Sequence, residues 1–164
     1  MKHLLIIAFA LALLPVSSFA GQPGDTTSTT IPFHLRANCS LIVITCKVNG
    51  INASFLFDTG SEISVLDQSQ AATFHFDVVE NDDPDSKNTG WGGIGGTSKL
   101  NYADHVLVQL GSIQLKNCFK CADLDAVLSA VSNRTGRNVV GIIGADILSK
   151  YHLIIDFTTN SIHQ

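Results

Sequence analysis

The sequence predicts a mainly β domain of mostly antiparallel strands with one short C-terminal helix. The 164-residue chain holds 13 glycines and many short β-branched runs separated by turn-forming residues, a pattern typical of short strands joined by tight connections. Apolar residues make up 45% of the chain and charged residues 15%, which excludes a mostly disordered protein and fits one domain-sized core. A formal net charge of −4 argues against a nucleic-acid partner.

The N-terminal residues are typical of an export signal. Lys2 precedes an apolar run over residues 4–14, and small residues lead up to Ala20, as in a secretory signal peptide. We expect residues 1–20 to be that signal, 21–35 a flexible leader and 36–164 the folded domain of an exported protein, either periplasmic or secreted. A retained anchor is the weaker alternative, because no apolar run is long enough to span a bilayer. Stable membrane insertion after cleavage is therefore not expected.

The first half of the domain predicts a β-hairpin followed by a polar turn. Residues 41–48 and 51–57 are apolar runs of strand length, joined by Asn49-Gly50. Asn-Gly is a strong hairpin signal, because both central positions of a type I′ turn need a positive φ. Residues 63–66 are apolar again, and an acidic loop with a proline follows at 80–88.

The second half predicts further strands and the helix. A glycine-rich tip at 90–96 precedes alternating residues, a Gly-Ser turn and a weak helix or loop at 126–136. The remaining expected segments are strands at 100–110, 113–122, 139–143 and 153–157 and a helix at 145–151.

The turn Asp58-Thr59-Gly60-Ser61 is the chemical centre of the sequence. It follows the apolar run over residues 55–57 directly, and a carboxylate at the end of a buried strand is costly unless it is hydrogen-bonded. Gly60 frees the backbone so that its amide can approach the carboxylate, and the hydroxyls of Thr59 and Ser61 add donors. Ordinary turn chemistry is the alternative, but a solvated turn needs no aromatic wall in front of it.

Three separated motifs resemble those of the retropepsin-like aspartic peptidases, in their single-lobed bacterial and cellular branch. Residues 57–61 (Phe-Asp-Thr-Gly-Ser) resemble the family signature, and residues 92–96 (Gly-Gly-Ile-Gly-Gly) resemble the tip of its β-hairpin flap. Residues 140–148 resemble the hydrophobic-hydrophobic-Gly element before the family's helix, and 153–157 its terminal strand. The resemblance implies an acid-protease barrel with a flap, acting on a peptide or protein as a homodimer without cofactor or metal.

The same resemblance assigns roles to the turn. Asp58 would be the catalytic carboxylate. Thr59 would support the turn in a cross-subunit hydrogen-bond pair, and Gly60 would place its amide at the carboxylate. A Ser61 hydroxyl donating to that carboxylate would favour its charged form, from which we expect an acidic pH optimum.

Further roles fall on the surrounding segments. The substrate-binding residues implied by the resemblance are Glu62, Gly92, Gly93, Ile94, Gly95 and Gly96, with the Ile94 amide as the expected donor. Gly144 would let its strand pack closely beside the turn, and Asp146 would cap the helix. Retroviral members usually have an arginine at the position of Ala145, paired with an acid at the position of Glu62, so that pair is absent here.

A single Asp-Thr-Gly turn supplies half of the implied catalytic pair. Water-activated peptide hydrolysis of this kind needs one ionised and one protonated carboxylate at close range. A twofold homodimer that brings Asp58 against its symmetry mate would supply both. The alternative is a catalytically silent peptide-binding or structural module with the same fold.

The four cysteines predict disulfides, since an even number in an exported chain is typical of cross-linking. Cys39 and Cys46 flank an extended run and would lie roughly 20 Å apart, beyond disulfide reach. We therefore expect a cross-link between this strand and the segment that holds Cys118 and Cys121. A metal or redox pair at 118 and 121 is less favoured, because no second pair stands at zinc-site spacing.

Two other motifs, a glycine-rich segment and an acidic loop, offer alternative ligand sites that their surroundings do not favour. Residues 90–95 match G-x-G-x-x-G, but neither a strand before them nor a helix after them is predicted, which argues against a dinucleotide site. Asp82, Asp83 and Asp85 lack the later glycine and glutamate of a calcium loop.

Overall fold

A computed structural model describes residues 29–33, 35–82, 91–93 and 96–164. The described strands are β1 (Thr30–Pro32), β2 (Ile42–Val48), β3 (Ile51–Phe57), β4 (Val65–Asp67), β5 (Asp77–Val79), β6 (Trp91–Gly93), β7 (Gly96–Ser98), β8 (Asn101–Asp104), β9 (Val108–Leu110), β10 (Ile113–Leu115), β11 (Lys120–Ala122), β12 (Val139–Ile143), β13 (Ile154–Asp156) and β14 (Ser161–His163). The described helices are α1 (Ala71–Phe74), α2 (Asp125–Thr135) and α3 (Ala145–Lys150), with a 3₁₀ turn at Gln68–Gln70. The mainly β prediction is confirmed.

The described strands form three sheets. Nine strands are ordered β10-β9-β2-β3-β12-β4-β11-β8-β5, three are ordered β1-β14-β13, and β6 pairs with β7. Most neighbours are antiparallel, but β12 runs parallel to β3 and β11 runs parallel to β4. Strand β12 therefore lies between the strand that precedes the Asp58 turn and the strand that follows it.

Apolar clusters cover both faces of the central strands. On β3, Phe55 and Phe57 pack into one cluster, and the intervening Leu56 packs into the other. On β12, Ile143 and Ile142 divide between the clusters in the same way. A strand buried on both faces has no polar side to alternate with, which explains the continuous apolar runs in the sequence.

The predicted Asn49-Gly50 hairpin is confirmed. Strands β2 and β3 pair in register from Val48↔Ile51 outward. Both turn residues have a positive φ, 48° at Asn49 and 84° at Gly50, as a type I′ turn requires.

The Asn49 side chain also joins three parts of the fold. The two hydrogens of its Nδ2 are shared among the carbonyl oxygens of Phe74, His75 and His105, at 2.9, 3.0 and 3.0 Å. Its Oδ1 accepts from the Leu107 amide over 2.7 Å. Asn49 therefore satisfies backbone groups at the end of α1 and in the loop between β8 and β9.

Part of the expected leader forms a strand. Strand β1 pairs antiparallel with β14, and the side chains of Ile31 and Phe33 on either side of Pro32 are buried. Burial of these two side chains ties the segment to the first apolar cluster. Residues 1–20, with the expected signal peptide, and 21–28 of the leader lie outside the described residues.

The helices cover the sheet at two places. The sequence predicts either a helix or a loop at 126–136, and the structure has helix α2 there. Its Leu128 and Val131 are buried in the second cluster. Helix α3 is the expected C-terminal helix, and its Ile147 packs into the first cluster. Among the described helices, none has the length and apolar character needed to cross a membrane.

The disulfide prediction is wrong for this structure, in which all four cysteines are free thiols. Cys39, Cys46 and Cys121 are buried, and Cys118 is exposed. Burial raises the pKa of the Cys46 thiol to about 12. Burial, with a smaller contribution from the charge of Asp67, raises the pKa of Cys121 to about 11. Because the thiolate is the reactive form, burial lowers the share of that form at both sites.

We expect Asn49→Gly to lower the free energy of unfolding by about 1–3 kcal/mol, because glycine keeps the positive φ but removes the side-chain hydrogen bonds. Denaturant unfolding would measure the change. The matched control is Asn38→Gly. Asn38 also has a positive φ, 61°, but is exposed and makes no side-chain hydrogen bond within the described part of the chain. Equal losses in the two variants would show that the Asn49 hydrogen bonds contribute nothing.

Candidate active site

Strand β3 delivers Asp58 to the end of the central sheet. Its last three residues are buried, and the Asp58 amide donates to the carbonyl of Ile143 over 2.9 Å. The backbone of Asp58 is therefore fixed to the end of β12. Asp58 is half-buried, so the residue keeps part of its surface in contact with solvent.

The turn closes around this carboxylate. The Gly60 amide donates to Asp58 Oδ1 over 2.9 Å, as expected from the sequence. The Ser61 amide donates to the Asp58 carbonyl over 3.2 Å. A Cβ on Gly60 would stand 3.2 Å from Asp58 Oδ1, so a larger residue there would crowd the carboxylate. Thr59 lies exposed at the tip of the turn.

Ser61 does not donate to the catalytic candidate. Its side chain is buried, and its hydroxyl donates to the carbonyl of Ile63 over 2.8 Å. A serine hydroxyl has one hydrogen to donate, so the predicted bond from Ser61 to the Asp58 carboxylate is wrong. The basis for expecting an acidic optimum from Ser61 is removed with it.

Gly144 packs against the back of the turn. A Cβ on this residue would stand 2.6 Å from the carbonyl oxygen of Ile63 and 2.7 Å from that of Ser61. The neighbouring Ala145 amide donates to the Ser61 carbonyl over 2.7 Å. The close approach expected at Gly144 is therefore present.

Ser64 and Asn117 are polar neighbours of this packing that sequence reasoning missed. The Gly144 amide donates to Ser64 Oγ over 2.9 Å, and that hydroxyl donates to Asp146 Oδ1 over 2.6 Å. Asn117 Nδ2 donates to the other carboxylate oxygen, Asp146 Oδ2, over 3.1 Å. The available signal was Ser64 itself, a hydroxyl in an apolar run.

Asp146 differs in detail from the expected helix cap. The cap position of α3 is Gly144, and Asp146 lies in the first helical turn. There its Oδ1 accepts from the Ile147 amide over 2.8 Å. Both carboxylate oxygens are thus engaged in structural hydrogen bonds.

The structure brings the other predicted site residues together only in part. Glu62 is exposed beside the turn. Strands β6 and β7 form a hairpin with Gly92↔Thr97 and Gly93↔Gly96 as pairs. The expected donor Ile94 and its neighbour Gly95 lie outside the described residues. Within the described ranges, no three His, Cys, Asp or Glu residues are grouped so as to hold a metal ion.

Comparisons with known proteins give one family model and several similar solved structures. A family model described as "Aspartyl protease" matches residues 44–147. No curated protein matches the chain. Similar solved structures include EIAV protease complexed with the inhibitor HBY-793, 21% identical, covering 69% of this chain and 89% of that chain, with a TM-score of 0.49.

Two further similar structures come from cellular organisms. The retroviral protease-like domain of Ddi1 from Leishmania major is 16% identical, covering 74% of this chain and 86% of that chain, with a TM-score of 0.46. A retropepsin-like aspartic protease from Rickettsia conorii is 16% identical, covering 83% of this chain and 87% of that chain, with a TM-score of 0.47.

We expect Gly144→Ala to lower the free energy of unfolding by about 1–3 kcal/mol, because the added methyl group meets backbone that cannot rotate away. Thermal or denaturant unfolding would measure the loss. Ser149→Ala, at an exposed position of α3, is the control and should change stability by less than about 0.5 kcal/mol. An unfolding curve for Gly144→Ala that overlays the wild type would contradict the packing described here.

Proposed function

Because the chain belongs to the aspartyl protease family, we propose that it is a homodimeric endopeptidase that cleaves peptide bonds with a pair of Asp58 carboxylates. The observation that carries the proposal is the half-buried Asp58 carboxylate at the end of a buried strand, with the Gly60 amide donating to Oδ1 over 2.9 Å. The sequence contains one Asp-Thr-Gly turn, so the second carboxylate would come from a second copy.

The proposed reaction needs no covalent enzyme intermediate. The ionised carboxylate takes a proton from water as the water oxygen attacks the peptide carbonyl carbon, and the protonated carboxylate donates to the carbonyl oxygen. The carboxylate that took the water proton then donates it to the amide nitrogen, while the other carboxylate takes a proton from a hydroxyl of the tetrahedral diol. The carbon–nitrogen bond breaks, and both carboxylates return to their starting states. Two carboxylates at close range cannot both ionise readily, so the pair holds one proton and titrates as a unit.

The surrounding residues take supporting roles in this proposal. The Gly60 amide holds the carboxylate in orientation, and the exposed Thr59 is free to meet its counterpart in the second copy. Ser61 acts on the turn through Ile63, since that is where its hydroxyl donates. The exposed Glu62 and the flap, residues 92–96, would bind the substrate backbone.

An apolar edge supports association with a second copy. Among the described strands, β13 lies at one edge of the three-stranded sheet. On and just after it, Ile154 is 63% exposed and Phe157 is 57% exposed. Exposed apolar groups at a strand edge favour pairing with another chain, and a half-complete active site makes a second copy the natural occupant.

We also propose that the protein is exported and acts in the periplasm or outside the cell. The signal-like order of charge, apolar run and small residues in 1–20 supports this location.

We expect Asp58→Asn to abolish peptide cleavage without changing the fold. The substituted amide can still accept the Gly60 hydrogen bond but cannot exchange the proton that the reaction needs. Cleavage of a peptide library across the acid and neutral range, followed by mass spectrometry, would measure the loss, with circular dichroism as the check on folding. Asp104→Asn, at an exposed position outside the site, should cleave like the wild type.

Subunit mixing tests the shared site. With the amount of wild-type protein held constant, added Asp58→Asn subunits should lower activity, since each mixed dimer carries one catalytic carboxylate. Activity that ignores the added subunits would contradict a shared site. Cleavage retained by the variant alone would remove Asp58 from the mechanism. A folded wild-type dimer that binds peptides and cleaves none would favour the silent module.

We expect Ile154→Lys to weaken dimerisation, because it buries a charge at the proposed apolar edge. Sedimentation equilibrium should show a dissociation constant raised by roughly tenfold or more, since tenfold corresponds to only about 1.4 kcal/mol. The control is Ile51→Lys, which replaces a 38% exposed isoleucine at the start of β3. Unchanged association of Ile154→Lys would place the interface elsewhere.

A further inference from the structure

Both ends of the Asp58 turn are hydrogen-bonded to one short backbone segment. At the start of the turn, the Asp58 amide donates to the Ile143 carbonyl over 2.9 Å. At its end, the Ser61 carbonyl accepts from the Ala145 amide over 2.7 Å. Residue 144 stands between these two contacts, so a displacement there would be transmitted to both ends of the turn.

The middle of that segment is itself held by a buried side chain. The Gly144 amide donates to Ser64 Oγ over 2.9 Å, and Ser64 is 2% exposed. Gly144 has no side chain of its own to fix it, so its position depends on this bond to its amide and on the bond from the Leu148 amide to its carbonyl over 3.2 Å. Loss of the Ser64 hydroxyl would leave a buried amide without its acceptor.

The direction of the Ser64 hydroxyl is set by Asp146. The hydroxyl hydrogen points to Asp146 Oδ1 over 2.6 Å, which leaves an oxygen lone pair for the Gly144 amide. Asp146 is oriented in turn by the Ile147 amide on Oδ1 and by Asn117 Nδ2 on Oδ2. A carboxylate that accepts only, with a donor on each oxygen, gives the serine one preferred orientation.

Asn117 extends the network to the last turn of α3. Its Oδ1 accepts from Lys150 Nζ over 3.2 Å, and Lys150 also donates to the carbonyl of Lys116. The lysine therefore fixes which way the Asn117 amide faces, so that Nδ2 is the group presented to Asp146. Hydrogen bonds are donated from Lys150 through Asn117 and from Gly144 through Ser64, and both series end at the Asp146 carboxylate.

We propose that Ser64, Asp146 and Asn117 are positioning residues that set the geometry of the Asp58 turn for catalysis. Their network holds Gly144, Gly144 holds the segment 143–145, and that segment holds both ends of the turn. The inference rests on the proposed peptidase function for its kinetic consequence and on the hydrogen bonds alone for its structural one. An error of about 1 Å in a catalytic group can cost roughly a hundredfold in rate, so a network remote from the substrate suffices to control kcat.

Four variants test the network kinetically in the full-length dimer. Ser64→Ala and Asp146→Ala should each lower kcat by roughly ten- to hundredfold with KM unchanged, and the double variant should be no worse than the more severe single variant. The exchange Asp146→Asn with Asn117→Asp keeps the shapes and reverses the donor and acceptor between the two residues, so it should recover most of kcat. Ser129→Ala, at an exposed position of α2, removes a serine hydroxyl outside the network and should leave kcat unchanged.

Amide hydrogen exchange measured by NMR tests the same network without relying on cleavage. The amide hydrogens of Asp58 and Gly144 should exchange faster in Ser64→Ala and Asp146→Ala than in the wild type. In the double variant Asp146→Asn with Asn117→Asp, they should exchange at the wild-type rate. The Lys47 amide, within the hairpin, should keep its protection in every variant. Slow, unchanged Asp58 exchange in Asp146→Ala would overturn the inference, even if the wild type cleaves nothing and the proposed function itself fails.

An active wild type gives one more decisive outcome. If Ser64→Ala and Asp146→Ala lower the melting temperature while kcat per folded dimer stays at the wild-type value, the residues serve stability alone and the positioning role is wrong.

Discussion

The Asp58 turn keeps its position because its backbone is hydrogen-bonded at both ends, and one strand end provides that constraint. Strand β12 runs parallel to β3 and antiparallel to β4, so it inserts between the two strands joined by the Asp58 turn. The carbonyl of Ile143, the last residue of β12, accepts a hydrogen bond from the Asp58 amide. Because β12 packs between β3 and β4, the backbone that carries the Asp58 side chain has a fixed position.

This insertion explains two glycines that turn chemistry does not require. A Cβ on Gly141 would stand 2.7 Å from the carbonyl oxygen of Val65 and from a ring carbon of Phe55, and a Cβ on Gly144 would meet Ile63 and Ser61 at similar range. Both residues let β12 approach its neighbours more closely than a side chain permits. The close approach in turn lets the Ala145 amide reach the Ser61 carbonyl.

Asp58 and Asp146 differ in their hydrogen-bond partners. Asp58 has the Gly60 amide as a donor, whereas Asp146, in the first turn of α3, has both oxygens occupied by structural donors. A carboxylate held in this way is suited to orienting neighbours, and one left half-open is suited to exchanging protons with a reactant. The division of roles between the two aspartates comes from their hydrogen-bond partners.

The sequence by itself determined the strands at 42–48, 51–57 and 139–143, the Asn49-Gly50 hairpin and the position of the carboxylate turn, whereas the expected strands at 100–110 and 113–122 are each divided in two. These features are local, since apolar runs, a positive φ at two residues and a glycine beside an aspartate act over a few neighbouring positions. Only the tertiary structure decided where polar side chains make their hydrogen bonds. It directed Ser61 to Ile63, joined Ser64 to Asp146 across 82 positions of the chain, left the cysteines unpaired and ordered part of the leader against β14. Such contacts join segments that are distant in sequence, and their partners are chosen by which strands become neighbours in the sheet.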